Sequence, residues 1–552
     1  MTNGAEALVR ALVEAGVSVV FSNPGTSEMH FVAALESAPQ LRAVLTLFEG
    51  VASGAADGYA RMTGLPAATL LHLGPGLGNA LANLHNARRA GVPLLNIVGD
   101  HATTHTQYDA QLQSDIETVA RNVSSWVRTT ASTDTLVADA AEAIAVARST
   151  PQQVSTLILP ADISWGSHGA RPAPPAPIRP PQPPDTQTVT QIAAAMGAGG
   201  TTALLLGGSA LHEEGLIAAA QISAATGAAL LADVFPTRLQ RGAGLPAVER
   251  LAYFPELATV QLSGIKHLVL AGARAPVSFF AYPDKPSYLV PDGCTVHALA
   301  DPTQNPAACL HALVKALGAT DAAPSLQPPH RPPPPRGRLT ANTVCQAIGA
   351  VLPHNAIISD ESQTSGVMLP AFTAGAPRHD VLTLTGGAIG QGLPVAIGAA
   401  VACPDRPVLA VQADGSAMYT IQSLWTMARE HLNITVVIIN NRCYNILNVE
   451  LQRVGASAAG PKARSQLDLS GPDLDFVDLG HGMGVPARRV NNAEDLTAAI
   501  QYAFSHRGPH LIEAVIPPAI TGLKLKALPH ALSALSRVPT PLAKALKRRF
   551  AP

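Results

Sequence analysis

Short apolar runs recur along the chain, each followed by a stretch with helical periodicity. The runs are VSVVFS (17–22), AATLLHL (67–73), LLNIVGD (94–100), TALLLGG (202–208), HLVLAGA (267–273), AIISDES (356–362), VLAVQADG (408–415) and ITVVIINN (434–441). None alternates cleanly between apolar and polar positions. Continuous apolar runs predict strands buried on both faces, as in parallel sheets covered by helices. The pattern therefore predicts an α/β protein of three Rossmann-like domains with parallel sheets.

Two proline-dense stretches punctuate this pattern, Arg171 to Pro184 and Pro324 to Pro335. Prolines at that density exclude helix interiors and central strands, so both are expected to be extended linkers. The expected domains span residues 1–168, 186–320 and 338–520. The remainder, 521–552, carries Lys524, Lys526, Arg537, Lys544, Lys547, Arg548 and Arg549 and no acid. It is expected to be a solvated amphipathic helix on the body; a lid over the active site or an anionic partner are the alternatives.

Composition narrows the function. With 47% hydrophobic and 14% charged residues among 552, large cores are possible. A net charge of -1 gives no basic field for nucleic acid. The five cysteines form no CxxC pair, which argues against a disulfide framework or zinc site and favours a reducing, cytoplasmic compartment. The start of the chain has early acids and no apolar core, so no signal peptide is expected, nor any membrane span.

The chemistry concentrates at strand ends. Asp414 closes one run and is followed by Gly415 and Ser416; Asn440 and Asn441 close the next. Gly415 permits a tight turn, and Ser416 is expected to cap the following helix. Two adjacent parallel strands would deliver a carboxylate and an amide oxygen to one crevice at their carboxyl ends. Mg2+ prefers hard oxygen ligands and phosphate. Separately, these motifs read as turn residues; together, at this spacing, they point to a metal on a diphosphate.

This arrangement resembles the thiamine diphosphate-dependent enzymes, the family of acetolactate synthase, pyruvate decarboxylase, oxalyl-CoA decarboxylase and benzoylformate decarboxylase. The likeness runs from about residue 5 to about residue 518. It implies a pyrimidine-binding domain first, a central domain next and a diphosphate-binding domain last, with thiamine diphosphate and Mg2+ as cofactors. Asp414, Asn441 and the Cys443 carbonyl would hold the metal. Gln363, Gly386, Gly387, Ile389, Gly415, Ser416, Asn441, Tyr444, Asn445 and Ile446 would line the cofactor, with Ile389 propping its bent shape.

The resemblance also implies a lone glutamate far upstream. Glu49, in LTLFEGVASGAADGYARMTG, fits it. It would hydrogen-bond N1′ of the aminopyrimidine, and an apolar site would raise its pKa. Its ordinary alternative is a helix-dipole partner. Asn79 would face the cofactor or substrate. His72 matches a histidine of benzoylformate decarboxylase and would move protons. Thr26, in SNPGTSE, would hold the substrate carboxylate. A second histidine of that decarboxylase has no counterpart in RAPVSFFAYPDKPS, where Phe279, Phe280 and Tyr282 would form an apolar wall. His101 and His105, in VGDHATTHTQYDAQLQ, would be its substitutes. No flavin or ADP motif is found, so FAD is not expected.

The expectation is a decarboxylase or carboligase acting on a small 2-oxo acid, of benzoylformate decarboxylase-like type. An acetolactate synthase large-subunit-like enzyme is the alternative, and a non-catalytic relative the third. The family implies a homodimer or homotetramer with shared sites.

Overall fold

The computed structural model describes residues 2–168, 176–283, 285–454, 456, 460–518, 527–528, 530–532, 534 and 542–544. Three sheets organise the chain. The strands of the first are β1 (Val19–Asn23), β2 (Arg42–Leu45), β3 (Ala67–Leu71), β4 (Leu94–Asp100), β5 (Trp126–Thr129) and β6 (Val154–Pro160). They lie in the order β2-β1-β3-β4-β6-β5, all parallel. Next along the chain come β7 (Thr202–Leu206), β8 (Ala229–Ala232), β9 (Leu239–Arg241), β10 (Glu249–Arg250), β11 (His267–Ala271) and β12 (Thr295–Ala300). All but β9 form the parallel second sheet, β10-β8-β7-β11-β12.

The third sheet uses β13 (Ile357–Glu361), β14 (His379–Thr383), β15 (Val408–Ala413), β16 (Ile434–Asn440), β17 (Ala487–Val490) and β18 (His510–Val515). Its order is β9-β14-β13-β15-β16-β18-β17. Only β9 runs antiparallel, joining β14 along an edge. The middle segment thus lends a strand to the last sheet, which ties the two together by backbone hydrogen bonds. Each apolar run singled out in the sequence becomes one of these parallel strands, and most of their residues are fully buried. That is the α/β architecture the pattern predicted.

Four helices position the site: α1 (Glu49–Thr63), α2 (Leu73–Ala90), α3 (Gly392–Ala402) and α4 (Asn445–Arg453). The first and third sheets are clamped through α1 against α3. A Cβ on Gly58 would lie 2.2 Å from the Val395 carbonyl oxygen, and one on Gly398 would lie 1.9 Å from that of Ala55. Glycine is required because the two backbones touch. The small residues of α1 are therefore packing residues, and their hydrophobic cluster spans both sheets.

The 324–335 stretch has no regular structure. Residues 171–175 of the first proline-rich stretch lie outside the described residues, as does most of the basic tail. Two described tail residues, Leu532 and Ala543, bury against Leu257 and Val260. Among the described residues, no helix is long and apolar enough to cross a membrane.

Candidate active site

Glu49 opens α1 directly after Phe48, which supplies an extended N-cap backbone. Its carboxylate is buried, and Asn79 Nδ2 donates to Glu49 Oε2 at 3.0 Å. Asn79 sits on α2, whose N-cap residue is His72, at the end of β3. Leu73, just beyond, holds φ at +47°, a left-handed conformation uncommon for a leucine. Chains keep such backbones where surrounding structure forces them.

His72 meets the turn after β1. Its Nδ1 lies 2.9 Å from Glu28 Oε2 and 3.3 Å from Ser27 Oγ. Glu28 is buried, and its Oε2 also accepts from the Gly25 N–H at 2.8 Å. The imidazole lies flat on the chain here: a Cβ on Gly25 would sit 2.1 Å from Nδ1. Thr26 begins this turn and is exposed. Its neighbours Ser27 and Glu28, not Thr26, make the polar contacts to His72. Both escaped the sequence reading, although a glutamate three residues after Gly25 is the capping signal of such a turn.

At the third sheet, Asp414 follows β15. Its Oδ1 accepts from the Gly415 N–H at 2.8 Å. Its Oδ2 accepts from the N–H groups of Asn441 (3.0 Å) and Arg442 (2.6 Å). One carboxylate thus spans the carboxyl ends of adjacent strands β15 and β16. Asn441 Oδ1 accepts from the Cys443 N–H at 3.0 Å. Ser416 departs from expectation. The helix after Asp414 is a single turn whose N-cap is Ala413, and Ser416 lies inside it. Its hydroxyl donates to the Ala413 carbonyl and accepts from Gln412, because the turn begins at Asp414 itself and the next helix, from Ser423, has Gln422 at its N-cap. Gly415 is needed because the Tyr444 ring covers it; a Cβ there would lie 2.3 Å from the ring. Tyr444 caps α4, and Asn445 and Ile446 form its first turn. Asn445 Nδ2 lies 3.4 Å from Thr364 Oγ1, next to Gln363, which opens its own turn with φ at +52°.

These donors suit a hard cation. Burial pushes the Asp414 carboxyl up, against the backbone N–H groups of Gly415, Arg442, Asn441 and Asp414 itself that lower it. An adjacent cation would relieve that burial penalty. Burial also pushes the Cys443 thiol up to about 11, so its sulfur stays protonated and offers no thiolate. Carboxylate, amide oxygen and main-chain carbonyl remain, the oxygen set that Mg2+ shares with a diphosphate.

The turn Gly386–Gly390 lies between α2 and Thr420. His85 Nε2 lies 3.1 Å from the Gly386 carbonyl oxygen. Asn86 holds both sides of Ala388, accepting from its N–H at 3.2 Å and donating to its carbonyl at 2.8 Å. Asn83 donates to the carbonyls of Gly50 and Gly390. So α2 carries Asn79 near its start and grips the Ile389 turn further on. The Phe279 ring rests on Gly387, where a Cβ would lie 2.6 Å away. Phe279 also packs against Phe235, Tyr253 and Phe280. Tyr282 is engaged elsewhere, donating to Glu450 Oε2 at 2.9 Å and stacking under Arg453 of α4.

Thus Glu49 and Asn79 form one cluster, and His72 another with Ser27 and Glu28. The residues from Asp414 to Asn445 form a third. Among the described residues no hydrogen bond joins Glu49 or His72 to Asp414 or Asn441. His101 and His105 pair with each other, ring centroids 5.3 Å apart, and among the described residues neither is hydrogen-bonded to His72. The sequence reading did not find Asn83, His85 or Asn86, whose partners lie some 300 residues away.

Known proteins match most of the chain. Residues 2–121 match the thiamine pyrophosphate enzyme N-terminal TPP binding domain, and residues 361–514 match its C-terminal TPP binding domain. The chain is 58% identical to "Putative acetolactate synthase large subunit IlvX" of Mycobacterium tuberculosis, over 94% of this chain and 100% of that protein. It is 28% identical to the benzoylformate decarboxylase of Pseudomonas aeruginosa, over 90% of this chain and 96% of that protein. The solved structure of a 4-hydroxybenzoylformate decarboxylase from Rhodococcus jostii RHA1 superposes with a TM-score of 0.80 at 23% identity. That match covers 94% of this chain and 99% of the other, and it shows the fold alone.

Proposed function

We propose, for a chain that belongs to the thiamine pyrophosphate enzyme family, a Mg2+-dependent 2-oxo acid decarboxylase or carboligase of benzoylformate decarboxylase-like type. It is a thiamine diphosphate-dependent enzyme of the acetolactate synthase and benzoylformate decarboxylase group, a lyase or a transferase. The observation that carries the finer reading is His72 Nδ1 held at 2.9 Å by the buried Glu28. A histidine fixed at one nitrogen presents the other, Nε2, as a defined proton donor and acceptor.

Bound thiamine diphosphate supplies the electron sink that lets a 2-oxo acid lose CO2. The rest falls to the chain. Asp414 and Asn441, with the Cys443 carbonyl, would hold Mg2+, and Gly415, Ser416, Tyr444, Asn445, Ile446 and Gln363 would surround the diphosphate. Glu49 would hold a proton at N1′ of the aminopyrimidine, and Asn79 would fix the Glu49 carboxylate. Ile389 would prop the cofactor, with Gly386 and Gly387 allowing close approach. His72 Nε2 would give a proton to the ketone oxygen or the reacting carbon of the 2-oxo acid and take one back before the aldehyde leaves. Thr26 would bind the substrate carboxylate, and Phe279 would bound its side chain. Residues 1–168 and 338–520 would be the two cofactor-binding domains, with 186–320 between them. Two copies would share sites in a cytoplasmic homodimer or homotetramer.

A proton NMR time course tests this with pyruvate and, separately, phenylglyoxylate, in the presence of thiamine diphosphate and Mg2+. Aldehyde from either acid supports the proposal. Acetolactate from pyruvate with little acetaldehyde would favour the second reading, an acetolactate synthase, to which the name of the 58% identical relative points.

A further inference from the structure

We infer that Glu361 is the positioning residue of the Ile389 turn, fixing the residue proposed to prop the cofactor; this rests on the role proposed for that turn. Glu361 ends β13 and is 2% exposed. Its two oxygens collect the main-chain N–H groups that follow Ile389. Oε1 accepts from Gly390 at 2.7 Å and from Gln391 at 3.4 Å. Oε2 accepts from Gly392 at 2.7 Å and from Gln412 Nε2 at 2.7 Å.

No neutral side chain reproduces this. Glutamine has one acceptor oxygen, and its NH2 would face N–H donors. The bonds are charge-assisted and buried, hence strong. They also occupy N–H groups at the start of α3, where the helix dipole favours negative charge. The backbone is shaped for this approach. Gly390 holds φ at +93°, and a Cβ on Gly392 would sit 2.9 Å from Glu361 Oε2.

The turn is anchored on its other faces by the first domain and by Thr420 of the third. Gln391 Nε2 donates to Asp57 Oδ2 at 2.6 Å, and Asp57 is paired with Arg61. Thr420 Oγ1 and Asn83 Nδ2 both donate to the Gly390 carbonyl. Ile389 itself is only half-buried. An apolar side chain is thus displayed on a turn whose flanking backbone is fixed. Among the described residues, Glu361 is the one carboxyl group that accepts from that backbone.

The test is a double-mutant cycle on the full protein, read as thiamine diphosphate affinity by calorimetry in Mg2+. Glu361→Gln and Ile389→Ala are each expected to weaken affinity about tenfold or more. The double variant is expected to be no more than about twofold weaker than the worse single. Factors that multiply, with unchanged melting temperature, would overturn the inference while leaving the proposed role of Ile389 intact. An Ile389→Ala variant of unchanged affinity would remove that role, and the inference with it. If Glu361→Gln does not fold, amide exchange on the wild-type protein decides. Gly390, Gln391 and Gly392 amides are expected to be as protected as the interior of α3. Loop-like exchange there would sink the idea.

Discussion

Glu28 Oε2 lies 2.9 Å from Nδ1 of His72, and the same oxygen takes the N–H of Gly25 at 2.8 Å. The carboxylate therefore fixes a backbone turn and an imidazole together. A buried carboxylate at Nδ1 sets the ring tautomer and leaves Nε2 for chemistry. Glu28→Gln can still accept from Gly25 but places an amide, with one acceptor oxygen for two partners, against the imidazole Nδ1. We expect kcat to fall roughly 10- to 100-fold with little change in melting temperature. His72→Ala should fall at least as far, and the double variant should be no worse than His72→Ala. Steady-state rates on the three variants check this; multiplied losses would separate the two residues.

Asp414 reaches both strand ends through three N–H bonds, so its loss removes a metal ligand and a structural tie. Asp414→Asn should abolish measurable thiamine diphosphate binding in Mg2+. In the wild-type protein, dialysis against a chelator should release cofactor and abolish turnover, and Mg2+ with cofactor should restore both. Activity that persists in the chelated, cofactor-supplemented protein would contradict the metal assignment.

How far the sequence carried this reading follows from the range of each interaction. Strands such as Val408–Ala413 and Ile434–Asn440 were legible because both faces are buried, so their residues are uniformly apolar. The placement of Asp414 and Asn441 at neighbouring strand ends was legible because each lies one step past such a run. The grip of Asn86 on Ala388 was not, because it joins residues 302 apart. Nor was β9, three residues too short to show a period, whose pairing depends on the edge of another sheet. Ser416 misled because serine after a strand commonly caps a helix, whereas here the helix stops after one turn.

The Asp57–Arg61 pair is fully buried, with the guanidinium also donating to the Thr383 carbonyl and the Thr385 hydroxyl. It joins α1 to both ends of the segment bearing Ile389. Removing one member strands a buried charge. Arg61→Met should therefore destabilise by about 3–5 kcal/mol, lowering the melting temperature. The double variant Asp57→Asn with Arg61→Met should recover part of that loss. Scanning calorimetry tests both; equal melting temperatures for single and double would show the charge is not the cause.

Glu361 predicts a pH dependence whose sign is fixed by burial. Desolvation, the largest effect, pushes its carboxyl up to about 7 from the ordinary 4.5, against the bonds from Gln412, Gly392, Gly390 and Gln391 that lower it. Between those values the folded protein keeps a proton that the unfolded chain has released. Stability due to this group is therefore fully present below pH 4.5, falls as pH rises toward 7, and levels off above it. The loss is of order 3 kcal/mol at most, one pKa unit being about 1.4 kcal/mol. Function runs the other way, because the ionised form holds three N–H groups. Cofactor affinity should therefore weaken as pH drops below about 7. Glu361→Gln should flatten both trends, in melting temperature between pH 5 and 8 and in calorimetric affinity over the same range. The two slopes oppose each other only if one carboxylate costs stability and fixes the turn. Parallel slopes in the wild type, or an unchanged pair in Glu361→Gln, would place the titration on another group.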